Sequence, residues 1–300
     1  MRKSAFTLLE LIFVIVVIGI LSKYGIELLS QAYKNFIFSS VNNALQANSA
    51  AAVESIAAKL QYRIKDSVIA RRLDNTFVGL AGNTDPDIPI LEWVGADIDG
   101  FRGNTAVLPH WSGIIDLDLS SSTTLVSPGT DTGALNTLIG ILSHGSGTTI
   151  NNAALYFVGS DSDIRTGYGW DHTTGALTDQ NTSVMHRIKT GTNANEFESA
   201  IVGVDFNGTD IYEYYQLAWT AYAVGITDYN ATGNGTGTLT LWYDYQPWNG
   251  DIYTDGKSAV IMDDVSTFQF KAVGSIVKIQ VCVNSDLMED YSLCKEKTVF

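Results

Sequence analysis

Residues 3–21 read KSAFTLLELIFVIVVIGIL, a nearly unbroken apolar run that holds a single carboxylate, Glu10. A charged side chain at the centre of a membrane helix costs about 2.5–3.5 kcal/mol on insertion scales, so Glu10 marks a functional position that needs a partner. Arg2 and Lys3 stand just before the run and no comparable run follows it. The positive-inside rule therefore predicts a single-pass protein, with its N-terminal end in the cytoplasm and its bulk outside. A secretory signal would end in small residues at a cleavage site. Ser22, Lys23, Tyr24 and Gly25 make a poor one, and neither that signal nor a plain anchor requires Glu10.

The order Phe6, Thr7, Leu8, Leu9, Glu10, set between a short leader with Lys3 and apolar residues to Leu21, resembles the class III signal of type IV pilins and type II secretion pseudopilins. The resemblance implies that a prepilin peptidase cuts between Ala5 and Phe6 and methylates the new amine. Ala5 stands where the family usually has glycine. The freed Phe6 amine would lie one helical turn before Glu10, the spacing at which helical neighbours meet. Glu10 is thus the expected assembly residue, answering the N-terminal amine of its own chain or of a neighbour. The implied fold is a protruding apolar half-helix, continued by a half-helix packed on an antiparallel sheet.

Composition bounds the remainder. The chain has 300 residues, 45% of them hydrophobic and 17% charged, enough for one large domain or two small ones beyond the anchor. Its formal charge of −14, which becomes −16 if Arg2 and Lys3 leave with the leader, argues against a nucleic-acid partner. Cys282 and Cys294 are the only two cysteines. In an oxidising compartment they are expected to form one disulfide, worth about 3 kcal/mol on the chain-entropy model; the alternative is two unrelated thiols.

From Phe6 to about Arg72 the sequence predicts one long helix, with Val53, Ile56, Leu60, Ile64 and Val68 as its apolar stripe. Lys59, Arg63, Lys65, Arg71 and Arg72 then read as a basic cluster near the helix C-terminus. Strand signals follow. Residues 211–224 and 239–245 read as two long strands joined by a Gly-rich turn at 232–237. Phe268, Phe270, Val277, Ile279, Val281 and Val283 give a period of two on either side of Gly274, a hairpin with one face in the core and Cys282 on the other. The expected fold class is α+β. Its parts are a leader at 1–5, a membrane or filament-core half-helix at 6–29, an amphipathic half-helix at 30–72, a loop-rich β insertion at 73–200 and an antiparallel sheet at 201–300. A separately folding lobe is the alternative for the insertion.

Signals for chemistry are weak. His110, His144, His172 and His186 stand far apart, and no zinc motif, nucleophile elbow or phosphate loop occurs. No catalytic or metal-ligating residue is assigned. Asp97 with Asp99, and Asp161 with Asp163, carry carboxylates in loops as structural calcium would require, but lack the full ligand set of an EF-hand. Trp111, Trp170 and Trp248 are candidates for exposed aromatics that stack on sugars or anchor a partner. The functional expectation is a minor pilin or pseudopilin of the bulky J/W type in the bacterial inner membrane. Its partners would be other pilins, the prepilin peptidase and the membrane. The rival readings are a membrane-anchored extracytoplasmic hydrolase and a pilus-tip adhesin.

Overall fold

The computed structural model describes residues 7–103, 107–160, 163–285 and 291–300, with Lys65 described by its backbone alone. Helix α1 spans Leu8–Leu60, 53 residues or about 80 Å at 1.5 Å per residue. Thr7 starts it: the Thr7 hydroxyl accepts from Glu10 N, and Glu10 answers the Thr7 backbone N–H. Among the described residues thirteen strands follow. Eight form one antiparallel sheet: β1 (Ile69–Arg71), β2 (Phe77–Gly79), β3 (Ile90–Gly95), β9 (Thr220–Thr227), β10 (Gly237–Tyr245), β11 (Lys257–Val273), β12 (Ile276–Asn284) and β13 (Ser292–Val299), in the order β13-β12-β11-β10-β9-β3-β1-β2. The other five form a second antiparallel sheet: β4 (Thr124–Val126), β5 (Ala154–Phe157), β6 (Met185–Thr190), β7 (Glu196–Ser199) and β8 (Tyr215–Ala218), in the order β4-β7-β6-β5-β8. Helices α2 (Ile98–Phe101) and α3 (Thr132–Leu142) lie between strands of the chain. The class is α+β, as expected.

The large sheet is covered on both faces. On one, Val53, Ile56 and Leu60 of α1 join Trp93, Leu239, Phe268 and Ile279 in a core. On the other, Ile69, Ile90 and Val94 meet Tyr156, Trp170 and Met185 of the insertion and Trp248 of the β10–β11 connection. All six residues of β3 are consequently buried, which an alternating one-sided strand could not show. A third core lies within the insertion, where Leu135 and Ile139 of α3 cover Leu155, Ile188 and Phe197. The strands taken from residues 69–95 belong to the large sheet, and the small sheet ends with β8, so the structural insertion runs from about 96 to 218 rather than 73 to 200.

The helix ends twelve residues before the expected Arg72. Beyond Leu60 the backbone leaves the helix to pair with the sheet: Ala96 N donates to Tyr62 O at 2.8 Å and Ile64 N to Val94 O at 2.9 Å. Ile64 and Val68 are buried as the stripe implied, but they stand beyond the helix. The basic cluster is corrected with it. Arg71 lies in β1, buried against Glu92 of β3 with Nε and Oε2 2.7 Å apart, and it also donates to Asn75 O and Trp170 O. Burial pushes the Glu92 carboxyl up more than the adjacent guanidinium draws it down. The pair joins β1 to β3 while the Arg71 bond to Trp170 O ties the insertion to the sheet, and removing one partner would strand a buried charge.

Two further expectations change. Residues 211–224 split at Trp219 into β8 and β9, which serve different sheets. Trp111, Trp170 and Trp248 are 3%, 1% and 0% exposed, so all three are core residues and none offers a face to a ligand. The hairpin stands: β11 and β12 meet through Gly274 and Ser275, with Val273 opposite Ile276 and Gly274 at φ 62, a conformation glycine adopts without strain.

Candidate functional site

The first half of α1 stands away from the domain. Its earliest buried residue is Ser49, followed by Ala52, Val53, Ile56, Ala57 and Leu60. Ahead of them Leu8, Leu9, Phe13, Ile15, Ile18 and Leu21 are all exposed, and the apolar stretch has no residue covered by the rest of the chain. One N-terminal helix is therefore long and apolar enough to cross a membrane, which fits single-pass anchoring. An apolar surface of that extent is stable only in lipid or against other apolar helices.

Glu10 sits on this protruding segment. Its Oε2 accepts from Thr7 N at 2.9 Å and from Thr7 Oγ1 at 3.0 Å, so the carboxylate is folded back toward the start of the helix. A carboxylate in the first turn also complements the partial positive charge of a helix N-terminus. Ala5 and Phe6, the expected processing residues, lie outside the described residues.

The other end of α1 is held by residues that the sequence did not single out for this role. Arg63 Nη1 donates to Leu60 O at 2.9 Å and to Phe300 O at 3.4 Å, and Nη2 donates to Ser275 O at 2.7 Å. One guanidinium thus caps the last helical carbonyls and ties them to the β11–β12 turn and the chain end. Farther up, Tyr291 Oη donates to Asn42 Oδ1 at 2.8 Å, and its ring meets Phe38 edge-on at 5.4 Å. A basic residue just past the helix is a readable cap signal; nothing local announces Tyr291, since its partner is 249 residues away.

Cys282 and Cys294 form a disulfide across the directly opposed pair of β12 and β13. It lies on the sheet face away from α1, because Val281 and Val283 turn inward on either side of Cys282. The bond closes the connection that delivers Tyr291 to the helix.

Of the loop carboxylates, Asp97 and Asp163 are engaged by the protein itself. Asp97 is buried, caps α2 through Gly100 N at 3.2 Å, and accepts from the indole N–H groups of Trp111 at 3.1 Å and Trp219 at 3.4 Å. Asp163 accepts from Arg165 N, while Asp161 lies outside the described residues. Among the described residues no group of three or more His, Cys, Asp or Glu could hold a metal ion. No family model, curated protein or solved structure matches the chain.

Proposed function

We propose that this chain is a minor pilin or pseudopilin, a membrane-stored subunit that joins, and helps initiate, a type IV pilus or a type II secretion pseudopilus. The observation that carries the reading is α1 itself: an apolar, uncovered segment with Glu10 in its first turn, continuous with a segment packed on an antiparallel sheet. In the bacterial inner membrane the apolar segment would be stored in lipid. In a filament, the same surface would pack against the helices of other pilins.

Glu10 would supply the selectivity of that transfer. Left alone in the hydrocarbon it is costly, and a fixed N-terminal amine from the neighbouring subunit would offset the cost. The geometry of the first turn supports this, because the carboxylate already points toward the N-terminus. A soluble domain suspended from an anchor would need neither the acidic residue nor a rigid helix running unbroken from anchor to sheet.

The test is processing. In cells with an active prepilin peptidase, the membrane-extracted chain is expected to begin at N-methylated Phe6 by intact mass spectrometry. Retention of residues 1–5 would overturn the proposal and leave an uncleaved anchor.

A further inference from the structure

A cavity of about 790 Å³ opens where the end of α1 meets the insertion. That volume lies within the range of small-molecule sites, about 300–1,000 Å³. Five parts of the chain build its wall: the turn after α1 with Gln61 and Tyr62, α2 with Phe101, the stretch from Trp111 to Ile114, the end of β5, and the start of β8 with Tyr214 and Gln216.

Two of its aromatic side chains are open to solvent, Phe101 at 44% and Tyr214 at 57% exposure. Phe101 is backed by a fixed stack. Its ring lies 4.7 Å from Trp111, whose ring lies 5.5 Å from Tyr215. Asp97 holds the Trp111 indole, and Ser127 holds the Tyr215 hydroxyl at 2.8 Å. An apolar residue exposed by chance would not be expected to rest on a hydrogen-bonded aromatic layer of this kind.

The polar groups sort by what they already bind. The charges of Arg63 and Asp97 are spent inward, on backbone carbonyls and on indole and backbone N–H groups. The amides of Gln61 and Gln216 make no hydrogen bond with other described residues, and each offers both donors and an acceptor. Asp66 accepts one bond from Tyr156 Oη at 3.3 Å, which leaves a carboxylate most of its acceptor capacity. What faces a ligand is thus flat aromatic surface flanked by neutral amides and one acceptor. A pyranose presents the complement, an apolar C–H face with hydroxyls around its edge. An anionic ligand would be repelled by the Asp66 carboxylate, and a purely apolar one would leave the amides dry and unpaired.

We propose that this cavity binds a neutral oligosaccharide, stacked on Phe101 and Tyr214 and hydrogen-bonded by Gln61, Gln216 and Asp66. The inference does not rest on the filament reading and survives its failure.

The test uses the full chain in lauryldimethylamine oxide, because alkyl glycoside detergents would compete. A printed array of neutral and charged glycans selects a probe, which is then titrated by tryptophan fluorescence beside maltotriose and chitotriose. Saturable binding of a neutral glycan is expected. Tyr214→Ala and Gln216→Ala should each weaken it roughly three- to tenfold, the size of a lost stacking or hydrogen-bond contact, with unchanged melting temperature. Tyr212→Ala, outside the cavity, should leave affinity unchanged. No saturable neutral glycan, binding restricted to charged glycans, or equal affinity in the Tyr214 and Gln216 variants would each overturn the proposal.

Discussion

At His186 the fold overrides the side chain's ordinary chemistry. The ring is buried against Phe157, with centroids 5.0 Å apart. Gln180 donates through Nε2 to Arg187 O and Ser199 Oγ, so its Oε1 faces His186 Nδ1 at 3.3 Å and that nitrogen carries the proton. Burial pulls the imidazole pKa down to about 4. A folded-state value below the unfolded one means that the group's contribution to stability is fully present above about pH 6.5 and is lost as the pH falls toward 4. Between pH 7 and pH 5 the loss from this residue is about 2 kcal/mol. Urea unfolding at the two pH values should find that His186→Gln loses about that much less than the parent chain. Equal losses would assign the acid sensitivity to other groups. The four histidines were legible in the sequence only as isolated residues; that one of them is sealed in a core depends on β5 and β6 being paired, which no local signal states.

At the scale of elements, α1 and the β12–β13 pair carry the next two predictions. Glu10→Val removes an insertion penalty, so membrane insertion should persist while crosslinking to other pilins falls. The same substitution removes half of the reciprocal cap with Thr7, worth about 0.5–2 kcal/mol, and Glu10→Gln separates the effects because glutamine can keep the cap without the charge. If Glu10→Gln incorporates normally, the carboxylate acts only as a cap and the pairing idea fails. For the disulfide, Cys282→Ser should cost about 2–5 kcal/mol. It should also loosen Tyr291 from Asn42 and Phe38, seen as faster amide exchange in that stretch of the helix than in the Leu60 region. Uniform exchange along α1 would show that the closed connection does not brace the helix. The hairpin at Gly274 was legible because period and turn residue agree, and the presence of α1 because no proline interrupts its run. Its end was not: Ile64 and Val68 continue the apolar spacing, and only pairing with β3 takes them out of the helix.

At the scale of the molecule, the described residues beyond Leu60 fold into two sheets at one end of α1. Helices packed side by side lie about 8–10 Å apart, and a body of this size cannot repeat at such spacing without displacing its neighbours. If the filament reading holds, the chain should be scarce relative to the major subunit, and its deletion should reduce filament number or secretion instead of shortening every filament equally. Quantitative proteomics of sheared filaments in which it dominates would remove the minor-subunit assignment.

The sequence by itself determined the features that depend on neighbours along the chain: an apolar N-terminal helix, an α+β class, and a C-terminal hairpin with its core face set by alternation. The tertiary structure decided the rest. Continuous burial of β3, the division of residues 211–224 between two sheets and the burial of Trp170 and Trp248 follow from one event, the docking of the five-stranded sheet on the face opposite α1, while Trp111 is buried in the insertion's own core. Periodicity states which face of a strand is apolar; whether a second layer covers the other face depends on segments tens of residues away, and their closure entropy and packing leave no mark on local spacing.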